Sequence, residues 1–323
     1  MILVTGGTGF LGQNFLEQSA EPCAFTGRNL GKGTRIQLET GHKFMQVDLV
    51  NDPLPCMKVF KAIVHSSALS SPWGSWKEFN ENNVLATRRL LEQAAQDGVK
   101  QFVHISTPSL YFRFKDARDI TENEVGVSPD LSKSRGLFAN HYAYSKYLAE
   151  LEVLKFQDRM HVTILRPRGI FGKHDTTIFP RVIAMGRGAG IPLPLKGEAV
   201  LDVTHVDNVT HAIRLALKGE HRNGQAYNIT NGEPQNLMET LDKLSYGLGE
   251  PLKMRKVNPK ILMLLGRLGE LTGLLTGKEP QLTRYTAGIL CFDQTLSIKK
   301  AQRELGYQPV RSIVDGLKDY AHV

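Results

Sequence analysis

Through the first half of the chain, short apolar runs alternate with stretches whose apolar residues recur every three or four positions. "ILVT", "CAFTG", "KFMQVD", "FKAIVHSSA", "QFVHIS" and "VTILRP" read as strands. Strands buried on both faces give runs of this nearly continuous apolar kind. "FLGQNFLEQSA", residues 84–96 and the stretch "YAYSKYLAELEVLKF" carry the helical period between them. Strand, helix, strand repetition predicts an α/β fold: a doubly wound Rossmann parallel sheet with helices on both faces. After Arg166 the pattern loosens, and helices are expected at 208–217, 238–248, 261–275, 296–305 and 313–320. The expected division is a dinucleotide-binding domain at 1–167, with a returning segment at about 200–232. A smaller, mainly helical substrate lobe would take 168–199 and 233–323.

Composition narrows the class. The 323 residues are 41% hydrophobic and 22% charged, as in an ordinary globular protein. The net charge of +8 reads as a solvated basic surface or as attraction to an anion. No block of basic residues marks a nucleic-acid tail, so nucleic acid is not an expected partner. Three cysteines without a Cys-x-x-Cys pair argue against a disulfide framework or a metal site and fit reduced, cytoplasmic thiols. The opening "MILVTGG" reads as a buried strand entering a glycine turn and lacks the layout of a signal peptide. A cytoplasmic protein without a transmembrane helix is the expectation.

"TGGTGFLG", between the first strand and first helix, spaces Gly6, Gly9 and Gly12 three apart. Glycines there let a pyrophosphate approach the backbone, and the helix N-terminus faces its charge. An acidic residue at the end of the second strand would hold the ribose of NAD(H). Here the strand runs into Gly27, Arg28 and Asn29, with no carboxylate. Arg28 either holds a 2′-phosphate, which favours NADP(H) over NAD(H), or is a solvated surface arginine.

Two Tyr-x-x-x-Lys pairs are present, Tyr111/Lys115 and Tyr142/Lys146. Residues four apart share a helix face. Pro108 interrupts helix formation ahead of Tyr111, whereas Tyr142 opens an uninterrupted helical pattern, so the second pair is the one expected to share a pocket. Tyr144 faces elsewhere. A nearby ammonium is expected to lower the phenol pKa toward a useful range for acid/base work.

With "HSSA", "NNVLATRRLL", "ISTPSLY", "YAYSK", "LRPRGIFG", "VTHVDNV" and "FDQTLSIKKAQRELGYQP" added, the chain resembles an extended short-chain dehydrogenase/reductase of the NAD-dependent epimerase/dehydratase superfamily over nearly its whole length. The resemblance implies that Tyr142 is the acid/base, Lys146 its partner and Thr107 the hydroxyl orienting the substrate oxygen, with Ser106 an alternative. It implies cofactor contacts from Gly6, Gly9, Phe10, Leu11, Gly12, Arg28, Asn29, Asp48, Leu49, Ser66, Ser67, Ala68, Asn83, Tyr142, Lys146 and Pro167. Asp48 would contact adenine and Asn83 would support a proton relay; otherwise Asp48 shapes a turn and Asn83 starts a helix. A homodimer through the helices near Asn83 and Tyr142 is a further implication.

Sugar-nucleotide members of that family anchor the diphosphate with an Asn where this chain has Gly169 and an Arg where it has Leu201. "ISTPSLYF" and "RPRGIFG" are instead similar to the 3β-hydroxysteroid and sterol-4-carboxylate dehydrogenase branch, which resembles reductases of 2-alkyl-3-keto acids. The implied activity is oxidoreduction of a secondary alcohol or ketone on an apolar, steroid-like or long-chain β-hydroxy/β-keto acid substrate. Arg168 is a candidate carboxylate partner or a structural ion pair. The alternatives are a nucleotide-sugar epimerase or reductase and a catalytically silent NADP(H)-binding protein. The apolar stripe Ile261, Leu264, Leu265, Leu268, Leu271 and Leu275 reads as core packing, a pocket wall, a peripheral membrane contact or a subunit contact.

Overall fold

The computed structural model describes residues 1–126 and 135–321. Seven strands form one sheet: β1 (Ile2–Thr5), β2 (Cys23–Gly27), β3 (Lys43–Gln46), β4 (Ala62–His65), β5 (Gln101–Ile105), β6 (His161–Pro167) and β7 (Gln225–Ile229). Their order is β7-β6-β5-β4-β1-β2-β3, and every pairing is parallel. Strand order reverses between β1 and β4, so the crevice beyond their carboxyl ends is the place where this topology binds a ligand. The doubly wound sheet expected from the apolar runs is present.

Helices cover both faces. On one side α1 (Phe10–Glu17) and α6 (Val206–Lys218) bury Phe15, Leu16, Val209 and Ile213 in a common core with Val4 and Val64. On the other, α3 (Ala86–Gln96) and α4 (His141–Leu154) bury Leu90, Leu91 and Val153 against Leu3, Ile63 and Phe102. The helix α2 (Leu30–Thr40) joins β2 to β3. A π-helical turn, Asn80–Leu85, feeds α3.

Further helices are α5 (Phe179–Arg187), α7 (Leu237–Leu248), α8 (Pro259–Thr276), α9 (Arg284–Cys291), α10 (Lys299–Leu305) and α11 (Ile313–Leu317). A second core gathers Phe179, Ile183, Leu241, Leu244 and Leu317. Ile298, Ala301, Leu305 and Tyr307 pack with β7 and α6 in the core of the large sheet. The Tyr307 hydroxyl donates to Thr230 O at 2.8 Å, and Lys300 Nζ to Ala226 O at 3.0 Å, which ties this late segment to the seventh strand. Among the described residues no helix is long and apolar enough to cross a membrane.

Candidate active site

The site is built from the carboxyl ends of β1, β2, β4, β5 and β6. Gly6, at φ +70°, turns the chain out of β1, and Gly9 caps α1 without a side-chain hydrogen bond. The first amides of α1 therefore lack a protein partner at its N-terminus, where an anion is favoured. The turn tolerates no larger residues: a Cβ on Gly12 would lie 2.4 Å from Gly6 O, and one on Gly6 2.8 Å from Ser67 N. This is the close backbone packing a dinucleotide pyrophosphate needs.

Two connected hollows meet at Gly6, Gly9, Ser66 and Ala68. The smaller, about 190 Å³, includes Arg28, Asp48, Leu49 and Ser67 in its wall. The larger, about 560 Å³, includes Phe10, Leu11, Gly12, Thr107, Tyr142, Lys146 and Pro167. Of the residues expected at the cofactor, only Asn29 and Asn83 line neither hollow. Asn29 is spent as the N-cap of α2, its Oδ1 accepting from Lys32 N at 2.9 Å. Asn83 holds the β4 loop to α4: its amide donates to Leu69 O and Ser145 Oγ and accepts from Leu69 N. Asp48 both lines the hollow and shapes its turn, accepting from Val50 N at 3.0 Å. The Arg28 guanidinium has no protein partner among the described residues and faces the smaller hollow. Glycine turn and helix N-terminus together fit the pyrophosphate of a dinucleotide.

Tyr142 and Lys146 sit one turn apart on α4, whose N-cap Asn140 accepts from Ala143 N at 2.8 Å. Tyr144 points away and packs against Trp76 and Phe138. The competing tyrosine, Tyr111, lies in the 3-10 turn Pro108–Tyr111 and is structural. Its hydroxyl donates to Asn228 Oδ1 at 2.8 Å and accepts from Arg166, whose guanidinium grips Glu150 in a buried bidentate pair.

Thr107 and Ser70 stand beside the Tyr142 hydroxyl on the cavity wall. Thr107 continues to Ser109 Oγ at 2.9 Å, and Ser109 to the Tyr285 hydroxyl at 2.5 Å. A chain of hydroxyls thus runs from the end of β5 into α9. Burial pushes the Tyr142 phenol above its ordinary value of 10.0, and the neighbouring hydroxyls of Ser70 and Thr107 only partly offset this. The expected lowering by Lys146 is absent from this cleft, because its amine is directed elsewhere. Nζ donates to Ile105 O at 2.7 Å and meets His104 Nε2 at 3.1 Å.

Lys146 is 2% exposed, and burial pushes its pKa down to about 8. His104 beneath it is held well below 6.5, first by burial and then by the Lys146 charge. A neutral His104 beside an ammonium accepts through Nε2, so its proton sits on Nδ1, a buried atom without a partner. His65 pairs with His104 across β4 and β5 and is pushed down to about 3 by the same causes. Its nitrogens meet Thr5 Oγ1 and Thr87 Oγ1 at 2.7 and 2.8 Å.

Arg168 is buried, bonded through Nη1 to Gln294 Oε1 at 3.0 Å, and absent from the cavity wall. Arg181 of α5 stands on that wall in its place. Sequence reading also passed over Tyr285, Ser70 and His104. For His104 a signal existed: a basic residue inside an otherwise apolar strand, matched by His65 at the same level of the next strand.

A parallel sheet with its switch-point crevice, a glycine turn on a helix N-terminus and a buried Tyr/Lys pair beside a strand-end hydroxyl define a dinucleotide-dependent oxidoreductase of the extended short-chain type. Residues 2–230 match the NAD dependent epimerase/dehydratase family, and the chain belongs to it. It is 39% identical over 335 residues to the uncharacterized protein YbjS of Escherichia coli (strain K12), covering 99% of this chain and 96% of that one. It is 32% identical to the 2-alkyl-3-oxoalkanoate reductase of Stenotrophomonas maltophilia (strain K279a), covering 98% and 97%. To the sterol-4-alpha-carboxylate 3-dehydrogenase, decarboxylating, of Mus musculus the identity is 27%, covering 95% and 86%. The latter two carry the names of the branch that the sequence motifs suggested. The fold is shared with a UDP-glucuronic acid 4-epimerase from Bacillus cereus solved in complex with NAD (TM-score 0.76, 20% identity, 98% and 96% covered).

Proposed function

We propose that this protein reduces the ketone of an apolar β-keto acid, or oxidises the matching β-hydroxy acid, with NADP(H). The observation that carries the reading is the larger cavity itself. Tyr142 and Thr107 stand together on its wall, and Phe10, Pro72, Ile170 and Ile178 supply apolar surface. Gly169, in place of an asparagine, offers a diphosphate no side chain. An unpaired buried diphosphate would cost several kcal/mol, so a nucleotide sugar fits this cavity poorly. The two relatives named for a 2-alkyl-3-oxoalkanoate and a sterol carboxylate support the same substrate class.

A bound nicotinamide supplies or takes the hydride at the carbinol carbon. Tyr142, raised above its ordinary pKa, is protonated at neutral pH and can donate its proton to the ketone oxygen as the hydride arrives. Thr107 orients that oxygen. Lys146, with two of its three donors fixed by Ile105 O and His104, keeps a charge at the cavity floor. The Arg181 guanidinium on the wall would receive the substrate carboxylate. Arg28 would hold the 2′-phosphate and so set the preference for NADP(H) over NAD(H).

The test is NADPH consumption by the purified protein with 2-alkyl-3-keto acids, sterol ketones and nucleotide sugars. Turnover is expected with the first class, falling on the order of a hundredfold or more in Tyr142→Phe. Turnover or thermal stabilisation with nucleotide sugars alone would establish the epimerase alternative. Cofactor binding without turnover on any panel member would leave a silent dinucleotide-binding protein.

A further inference from the structure

The apolar stripe of α8 is not core. Leu262, Gly266 and Gly273 face inward against α9 and its surroundings, and the opposite side is open. Ile261, Leu264, Leu268, Leu271, Leu274 and Leu275 are 48 to 87% exposed. Isolated exposed leucines are ordinary, but a contiguous row over an 18-residue helix marks an interaction surface.

The charges around the row identify its occupant. Lys253, Arg255 and Lys256 precede the helix on and beside the strand Met254–Val257, while Lys260, Arg267 and Lys278 lie along the helix and just past its end. All six are exposed and none has a carboxylate within ion-pair distance among the described residues. From 253 to 278 the one acidic residue is Glu270, and its Oε1 is occupied by Arg284 N at 2.8 Å. A second copy pairing about a two-fold axis would set these cations against themselves. A surface that is apolar in depth and negative at its boundary satisfies both features.

We propose that α8 docks this protein on anionic phospholipid bilayers, lying in the plane of the interface with its leucines among the acyl chains and its cations at the headgroups. The location suits access to the cavity. Gly273 packs against Trp73, next to Pro72 on the cavity wall, and Glu279, Tyr285 and Thr286 just beyond the helix line the same cavity. The docking helix therefore adjoins the cavity wall through its inner side, with the leucine row on its outer side. Docking goes beyond the catalytic reading and does not rest on it.

The experiment is sedimentation of the full chain with phosphatidylglycerol and with phosphatidylcholine vesicles, without substrate. Phosphatidylglycerol vesicles are expected to bind about tenfold or more tightly, with binding falling as salt rises. Leu268→Glu combined with Leu271→Glu is expected to abolish binding while melting temperature and NADPH binding are kept. Lys256→Glu should weaken binding several-fold. Equal, salt-insensitive binding to both vesicles, or none, overturns the proposal. So does a dimer in vesicle-free buffer that the double leucine variant dissociates, which would assign the row to a second copy. Because no turnover is read, failure here leaves the catalytic reading untouched, and the reverse holds as well.

Discussion

Replacing Lys146 by methionine removes a buried cation and should change the pH dependence of stability in a calculable way. Burial lowers the pKa from 10.5 to about 8. At about 1.4 kcal/mol per pH unit, that interval corresponds to a charging penalty of about 3 kcal/mol in the folded state. The penalty is fully present below pH 8, where both folded and unfolded chains carry the ammonium. Between pH 8 and 10.5 the unfolded chain binds more protons than the folded one, so stability rises with pH. Wild type should therefore gain about 3 kcal/mol relative to Lys146→Met across that window. At pH 7 the variant regains that penalty but loses the bonds to Ile105 O and His104, worth about 1–3 kcal/mol each for a charged donor. The two effects oppose each other, and the net change expected there lies between a gain of about 1 kcal/mol and a loss of about 3 kcal/mol. Urea unfolding of both proteins at several pH values from 7 to 10.5 gives the difference directly, since other groups titrate in both. Parallel stability curves would refute the assignment of a depressed pKa. Reductase activity in wild type should also fall above about pH 8 as the amine loses its charge.

Arg28→Ala should weaken NADPH binding ten- to a hundredfold, the worth of charge-assisted hydrogen bonds to a phosphate, and leave NADH nearly unchanged; equal losses for both would remove the 2′-phosphate role. Tyr111→Phe takes the acceptor from Arg166 and the donor from Asn228, and should cost about 1–3 kcal/mol in denaturant unfolding while kcat and its pH profile hold. Gly12→Ala would force a Cβ to 2.4 Å from Gly6 O, so dinucleotide affinity should collapse in a fluorescence titration. Retained affinity would mean the turn relaxes without harming the cradle.

The strands and the glycine turn were readable because each rests on local chemistry. A strand buried on both faces is mostly apolar, and a turn packed this closely takes glycine at Gly6 and Gly12. That Tyr142 shares a helix with its lysine was readable from the uninterrupted period of α4, whereas the short 3-10 turn that starts at Pro108 ends at Tyr111, before Lys115. What escaped was supplied by weak elements. The helix α5, which brings Arg181, starts on Phe179 and Pro180 and runs into glycines, and α9, which brings Tyr285, has only 8 residues. Neither is long enough for its period to stand out. The depressed Lys146 and the raised Tyr142 could not be read at all, because burial is a property of packing. The stripe on α8 shows the opposite limit: periodicity placed its residues on one face but could not say whether protein or something else lies against it.

The segment from Ile298 to Tyr307 has a practical consequence. Because this late segment returns to clasp the outermost strand, the nucleotide-binding half cannot be cut out as a free-standing fragment. Ending the chain at residue 230, where the family match stops, would strip Tyr227 of its Glu304 partner and open the sheet's flank to water. Such a fragment would expose an uncovered edge prone to aggregation, so dissection of this enzyme has to proceed by point substitution.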